Sequence, residues 1–550
     1  MLRLHPSVLD IVLLVIYFVA ILGIGLAARR SVGTSADFLL AGRALPAWVT
    51  GLAFVSANLG ATEILGMAAN GAQYGVATVH YYWIGAVPAM VFLGIVMMPF
   101  YFRSKVRSVP EFLKVRFNNQ THVLNAVVFA VSAVLIAGVN LYALAIVLQS
   151  LLGVNLYVGI VVSAAFVLVY IGAGGLSSAI YGEVLQFFVI LAGLIPLTIA
   201  AVVHVGGFAD LGSKVITAFK GNDTALHAWA GTGVGVDQQN PIGANFIGIV
   251  LGLGFVLSFG YWTTNFAEVQ RALSAKDESA GRRTPLIAAY PKLLIPAVTI
   301  IPGLVAVALD PKFGTGGDHL TYNDAIPHLM GDLLPSGVLG IAITGLFASF
   351  MAGVAANVSS LNTVVTYDIL EPYVAKGRSD RYYLHAGRLV TVAGIVIAVF
   401  TAVLASHFNN IMTYLQSLFS IFNAPIFATF ILGMFWKKTS AWGGFAGLFA
   451  GVVSGAITFL LFQTDVFSAA SGIYETFIQA GVAFAVDIVV TLVVTAVTPR
   501  PDPATLGDIV YSRHHGRTAE KGPREPWWRR PVLLGGGALA IGLVLNILFA

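Results

Sequence analysis

The chain has 550 residues and a mass of 58.0 kDa, which as a soluble protein would divide into roughly three or four domains. Only 10% of its residues are charged, 57% are hydrophobic and the mean hydropathy is +0.85. About 25% charged is usual for a soluble domain, so a soluble fold is excluded and a polytopic membrane protein is implied. There is no cysteine, which excludes disulfides, thiolate metal sites and cysteine nucleophiles.

A spanning helix needs about 20 mostly apolar residues. That window predicts fourteen spans, near 8–28, 45–72, 80–102, 124–152, 156–173, 180–206, 242–268, 284–308, 336–367, 384–406, 411–435, 442–463, 472–497 and 531–549. The first follows a single basic residue, Arg3, and ends in Arg29-Arg30 without a small-residue cleavage site, so it reads as a retained helix. Stretch 156–173 is short, and 336–367 is too long to cross perpendicularly without tilt or an interfacial turn.

Placing the N-terminus outside puts 25 of the 30 basic residues in inner loops, four outside (Arg3, Lys214, Lys220 and Lys312) and one, Lys292, inside a span. This asymmetry sets the orientation, with both termini outside, and accounts for the net charge of +5 without nucleic acid. The longest loops are 207–241 outside and 498–530 inside. The second is rich in proline and charge, and its His514-His515 pair reads as solvated tail rather than metal ligand. There is no HExxH, Walker loop or GxSxG elbow, so an ATP-driven pump or conventional hydrolase is not expected.

Polar groups inside hydrocarbon are costly and mark function by default. The second span holds Ser56, Asn58, Gly60, Thr62, Glu63 and Gly66, the composition of a discontinuous helix whose freed backbone binds an ion or solute. Tight helix packing at the glycines is the plainer alternative. The seventh span carries Ser258, Tyr261, Trp262, Thr263, Thr264 and Asn265, a second site or an interfacial aromatic belt. Lys292 lies nine residues past Arg283, so ~13 Å deep in a core about 30 Å thick, and calls for a partner or a substrate. Glu183 is a boundary residue or an acid on a cation path, and Gln416 sits early in the eleventh span. Spans two and seven are five apart and start from opposite sides, which points to two inverted five-helix units around a midplane site.

Asp37 to Arg43, the segment through Gly66-Met67, Ser108 to Phe112, Gly174 to Ser177, Glu183 to Gln186, Gln270 to Leu273, Thr366 to Ile369 and Leu432 to Lys438 together resemble the sodium:solute symporter family, most closely its sodium/sugar cotransporter branch. The resemblance implies an all-α polytopic protein of about fourteen transmembrane helices, with a five-plus-five inverted-repeat (LeuT-like) core working by alternating access. The first repeat would span 45–206 and the second 242–435, with 8–28 and 442–549 as flanking helices. It also implies a plasma-membrane location, and import of a small polar solute, sugars included, together with a coupling cation. No nucleic acid, obligate protein partner, cofactor or enzymatic activity is expected beyond Na+ or H+ as coupling ion.

In the sugar branch, Lys292, Gln416, Tyr261 and Trp262 match positions that line the pocket or gate it from inside. Glu63 stands where the branch has Gln or His, Tyr82 where it has Glu, and Ser258 where a bacterial member has Asn. An unpaired Lys292 would favour a carboxylate solute, whereas Glu63 as its partner would favour a neutral or amine one. The family's sodium site matches Ser56, Leu59 and Ser349, but its two hydroxyl positions fall on Ala352 and Gly353. Ser349, Ser359 or Ser360 would have to substitute, or coupling would run through another sodium site or protons at Glu63 or Glu183, or be absent. The alternatives are a proton-coupled or uncoupled monocarboxylate or vitamin carrier and, more remotely, a transporter-like sensor.

Overall fold

The computed structural model describes residues 6–29, 33–234, 239–311, 313–314, 320–408, 410–501, 506, 509–510 and 526–550, with backbone alone at 150–152, 170 and 172–174. Arg3, Arg30, Lys312, His514, His515 and most of 498–530 lie outside the described residues. Among the described residues eleven helices are long and apolar enough to cross a membrane, and two bent helix pairs raise this to thirteen. The fifth expected stretch, 156–173, is occupied by a shorter apolar helix, Leu156–Val169. It runs on into Gly175–Val205 through a break at Gly175, whose φ of +58° suits glycine and whose Cβ position lies 2.5 Å from the Phe38 carbonyl.

The long ninth stretch is one continuous helical element, Val338–Val374. Its Val338–Val364 part is buried along nearly its whole length, against Asn119–Leu152 and Leu156–Val205. Such a position explains why it reads as apolar all round. Helices Ala441–Gln463 and Gly472–Val497 pack on each other and on Ile411–Phe435.

Both expected discontinuities occur. The second span runs as Ala47–Asn58, breaks, and resumes as Thr62–Tyr74 at a bend of 59°. The seventh runs as Gly248–Thr264, breaks at Asn265, and resumes as Phe266–Leu273 at 49°. The second half of that pair corrects the sequence reading in one respect. Arg271, assigned there to an inner loop, is a fully buried helical residue.

Each break is repaired by side chains. At the first, the Ala61 N–H donates to Asn140 Oδ1 at 2.9 Å and the Leu59 carbonyl accepts from Ser349 Oγ. At the second, Asn265 Oδ1 accepts the Ala267 N–H at 3.0 Å and caps the following half-helix. Backbone freed in hydrocarbon must find such partners, and this is what confines the breaks to polar sequence.

Candidate functional site

The two breaks face each other across a cavity of about 40 Å³. From the second span it is lined by Asn58, Thr62, Glu63 and Met67, and from the seventh by Leu257, Ser258, Tyr261 and Trp262. Met412, Gln416 and Phe419 close it from Ile411–Phe435, and Tyr81 and Ala86 from the third span. That volume holds roughly three waters.

Of the residues expected at the solute, Glu63, Ser258, Tyr261, Trp262 and Gln416 line this cavity, and Lys292 and Tyr82 stand one layer behind it. Lys292, on Glu278–Leu309, is fully buried; its Nζ lies 2.8 Å from Glu63 Oε1 and donates to Asn58 Oδ1. The ammonium also sits 5.3 Å from the centroid of the Tyr82 ring and 5.1 Å from that of Trp262. Of the two readings of Lys292, the structure therefore has the paired one. Tyr82 Oη approaches Thr299 Oγ1 at 3.4 Å. Ser258 Oγ donates to the Leu253 carbonyl at 2.8 Å, and Gln416 Nε2 lies 3.8 Å from Met412 Sδ.

From Lys292 the hydrogen bonds continue in one direction. Asn58 Nδ2 donates to Tyr261 Oη at 2.8 Å, and Tyr261 Oη donates to Glu268 Oε1 at 2.7 Å. Glu268 is 2% exposed and its Oε2 has no partner among the described residues. It went unremarked in the sequence because it is the last residue of the expected seventh span, where a carboxylate is ordinary. Phe54 stacks on Trp262 at 5.7 Å, and Phe419 packs on Tyr261 at 4.6 Å.

Glu183 lies apart from the cavity. It is fully buried and holds Arg271 in a two-point bond, Nη2 to Oε1 at 2.5 Å and Nε to Oε2 at 3.2 Å, while Arg271 Nη1 donates to the Ala267 carbonyl at 2.7 Å. Its charge is thus already compensated.

The positions matched to a cation site gather at the first break. Ser56 Oγ is buried without a partner among the described residues, and the Leu59 carbonyl meets Ser349 Oγ. Ser359 and Ser360 donate to carbonyls of their own helix. Where hydroxyls would be expected, Ala352 and Gly353 leave space that the Asn140 side chain fills. A Cβ on Gly353 would lie 2.6 Å from Asn140 Cγ, and one on Gly60 2.5 Å from Asn140 Oδ1. Asn140 escaped the sequence reading because its polarity is isolated in an apolar helix. No group of three or more His, Cys, Asp or Glu that could hold a metal occurs among the described residues.

Residues 38–451 match the Sodium:solute symporter family. The chain belongs to that family. The symporter is 31% identical over 469 residues to the "Sodium/glucose cotransporter" of Vibrio parahaemolyticus, covering 81% of this chain and 84% of that one. It is 28% identical to the "Sodium/myo-inositol cotransporter 2" of Rattus norvegicus, covering 82% and 70%. Its fold matches the outward-open structure of a Na+-coupled sialic acid symporter with a TM-score of 0.74 at 16% identity, over 90% of this chain and 99% of that one. It is a multi-pass membrane transporter, a cation-coupled symporter for a small solute, with Na+ as the coupling ion of its family.

Proposed function

We propose that the symporter imports a small, neutral, hydroxyl-rich solute, a sugar or cyclic polyol. The observation that carries this is the Lys292–Glu63 pair. With the ammonium bound to Glu63 and Asn58, no lysine or arginine lines the cavity among the described residues. A carboxylate solute would meet Glu63 with the Lys292 ammonium behind it already engaged, which disfavours the monocarboxylate reading. Hydroxyls, by contrast, find donors and acceptors in Asn58, Thr62, Glu63, Ser258 and Gln416, and Trp262 offers a ring face. The names of the relatives, glucose and myo-inositol cotransporters, agree with this class.

The cavity lies between the two breaks and is lined from both half-helix pairs, so movement of one pair against the other would open or close it. This supports alternating access, with 45–206 and 242–435 as the two inverted repeats, 8–28 and 442–549 flanking them, and both termini outside the plasma membrane. Tyr261, fixed between Asn58 and Glu268, closes the inner exit. Ser56, the Leu59 carbonyl, Ser349 and Asn140 Oδ1 supply the oxygens for Na+, with the amide in place of the family's hydroxyls. Glu183, bound to Arg271, serves to hold the fold.

Solute-induced stabilisation of the purified protein tests this reading. A ligand stabilises by RT ln(1 + [L]/Kd), and a coupled cation raises the shift. Hexoses and inositols in sodium should raise the melting temperature more than in potassium at matched ionic strength. A shift with carboxylates alone would overturn the solute class, and one indifferent to sodium would overturn the coupling site.

A further inference from the structure

Near the two breaks three acids, the partly buried Glu63 and the buried Glu183 and Glu268, face two buried bases, Lys292 and Arg271. Glu63 takes Lys292 and Glu183 takes Arg271, so Glu268 is the acid left without an ion pair among the described residues. It is also the acid bonded to the tyrosine that closes the inner exit. We propose that Glu268 is a proton-binding site beneath that gate, and that proton binding loosens the hydrogen bond holding Tyr261 shut. The inference rests on reading Tyr261 as the inner closure.

The direction of the chain supplies the mechanism. Lys292 donates to Asn58, Asn58 to Tyr261, and Tyr261 to Glu268 Oε1, so every donor points toward the carboxylate. A run ordered this way, from a cation to an anion, polarises each bond in it. Oε2 is the orphaned oxygen, and a proton arriving there from the inner water leaves Oε1 free to go on accepting from Tyr261. The bond survives but changes from a charge-assisted one to a neutral one of roughly half the strength.

Among the described residues, the ionisable groups around Glu268 are few and each has a partner of its own. The ionisable groups acting on Glu268 are Tyr261 and Arg271 of its own bent pair, Lys292 of Glu278–Leu309 and Glu183 of Gly175–Val205. From the third span, Tyr101 donates to the Thr263 carbonyl at 3.1 Å and Arg103 pairs with Glu278 at 3.4 Å. The other elements packed on this half-helix, Ala47–Asn58 and Val338–Val364, carry no ionisable side chain.

The chain has no cysteine, so one introduced thiol reports the gate without any solute. Thr62 lines the cavity, and Thr62→Cys in inside-out vesicles is labelled by a membrane-impermeant methanethiosulfonate only when the inner exit opens. Labelling is compared with and without Glu268→Gln, from pH 5.5 to 8.5. The ratio at each pH cancels the thiol's own titration. Glu268→Gln, fixed in the neutral form, should label about fivefold faster at high pH and at an equal rate at low pH, the difference between charged and neutral acceptors. A ratio constant across the range would overturn the proposal. Tyr261→Phe gives a second reading that does not depend on that variant folding: its advantage over the parent should likewise shrink as pH falls, and a constant advantage again removes the proton from the gate. If Tyr261→Phe speeds labelling at no pH, the gate itself has been misplaced and both readings fall.

Discussion

Lys292 and Glu63 hold each other at 2.8 Å inside the membrane, from the eighth span and from the break of the second. Neither could stand alone there, since the cost of an isolated buried charge far exceeds what one hydrogen bond returns. Asn58 accepts a further ammonium proton, and the faces of Tyr82 and Trp262 lie on the remaining sides. The ion pair therefore fixes the broken helix to the helix behind it and sets the charge that the cavity presents.

Removing one partner should cost more than removing both. Lys292→Ala leaves Glu63 unpaired, a change worth about 3–5 kcal/mol, and should abolish solute uptake while the protein remains folded at low temperature. Adding Glu63→Gln removes the stranded charge and should recover most of the lost melting temperature without recovering uptake. Unchanged uptake in Lys292→Ala would show that the pair has no part in transport.

Arg271 tests geometry at constant charge. Its guanidinium makes two bonds to Glu183 and one to the Ala267 carbonyl. A lysine keeps the charge but cannot span these acceptors. Arg271→Lys should lower stability by about 1–3 kcal/mol in detergent unfolding, the range for buried groups left without partners. A melting temperature equal to the parent's would mean that charge alone is needed.

The spans and both breaks were legible because each rests on local composition: twenty apolar residues, or a run of Ser, Asn, Gly and Thr where such residues are rare. Lys292 was legible for the same reason. What it touches was not, because Glu63 and Asn58 lie more than 200 positions away and the spacing within one helix says nothing of its neighbour. Arg271 was misjudged and Glu268 missed because the half-helix Phe266–Leu273 is polar yet buried, so composition ended the span at 268, leaving Glu268 as an ordinary end residue and Arg271 in a loop. Asn140 went unnoticed since a single amide in an apolar helix resembles packing until the glycines opposite it are seen.

Asp487 lies midway along Gly472–Val497, fully buried, and accepts from Thr429 Oγ1 at 2.7 Å and from Thr491 Oγ1 at 3.2 Å. It makes no ion pair among the described residues, so its work is to join the flanking helix to Ile411–Phe435 by hydrogen bonds. Asp487→Asn keeps an acceptor for Thr429 and should change stability by less than about 1 kcal/mol, whereas Asp487→Ala removes both bonds and leaves a gap, costing about 1–3 kcal/mol. Thermal unfolding of the two variants separates them. Loss of transport in a well-folded Asp487→Asn would instead mean that the negative charge is required.

Asn140 and Gly353 make the last test, which bears on the coupling ion. The amide lies between the break of the second span and the central helix, in the space where Gly353 and Gly60 have no side chain. Gly353→Ser would restore a hydroxyl to the matched position, but its Cβ would overlap Asn140, so alone it should destabilise by about 1–3 kcal/mol, as overpacking does. Asn140→Ala alone removes the partner of the Ala61 N–H and one oxygen proposed for Na+, and should weaken the sodium dependence of uptake at least tenfold in apparent affinity, which corresponds to ~1.4 kcal/mol. The double variant Asn140→Ala/Gly353→Ser has room for the serine and regains an oxygen, so it should bind sodium more tightly than Asn140→Ala. Sodium titration of solute uptake in proteoliposomes reads all three. If Asn140→Ala keeps the parent's sodium dependence, the amide only mends the broken helix, and the ion is held elsewhere.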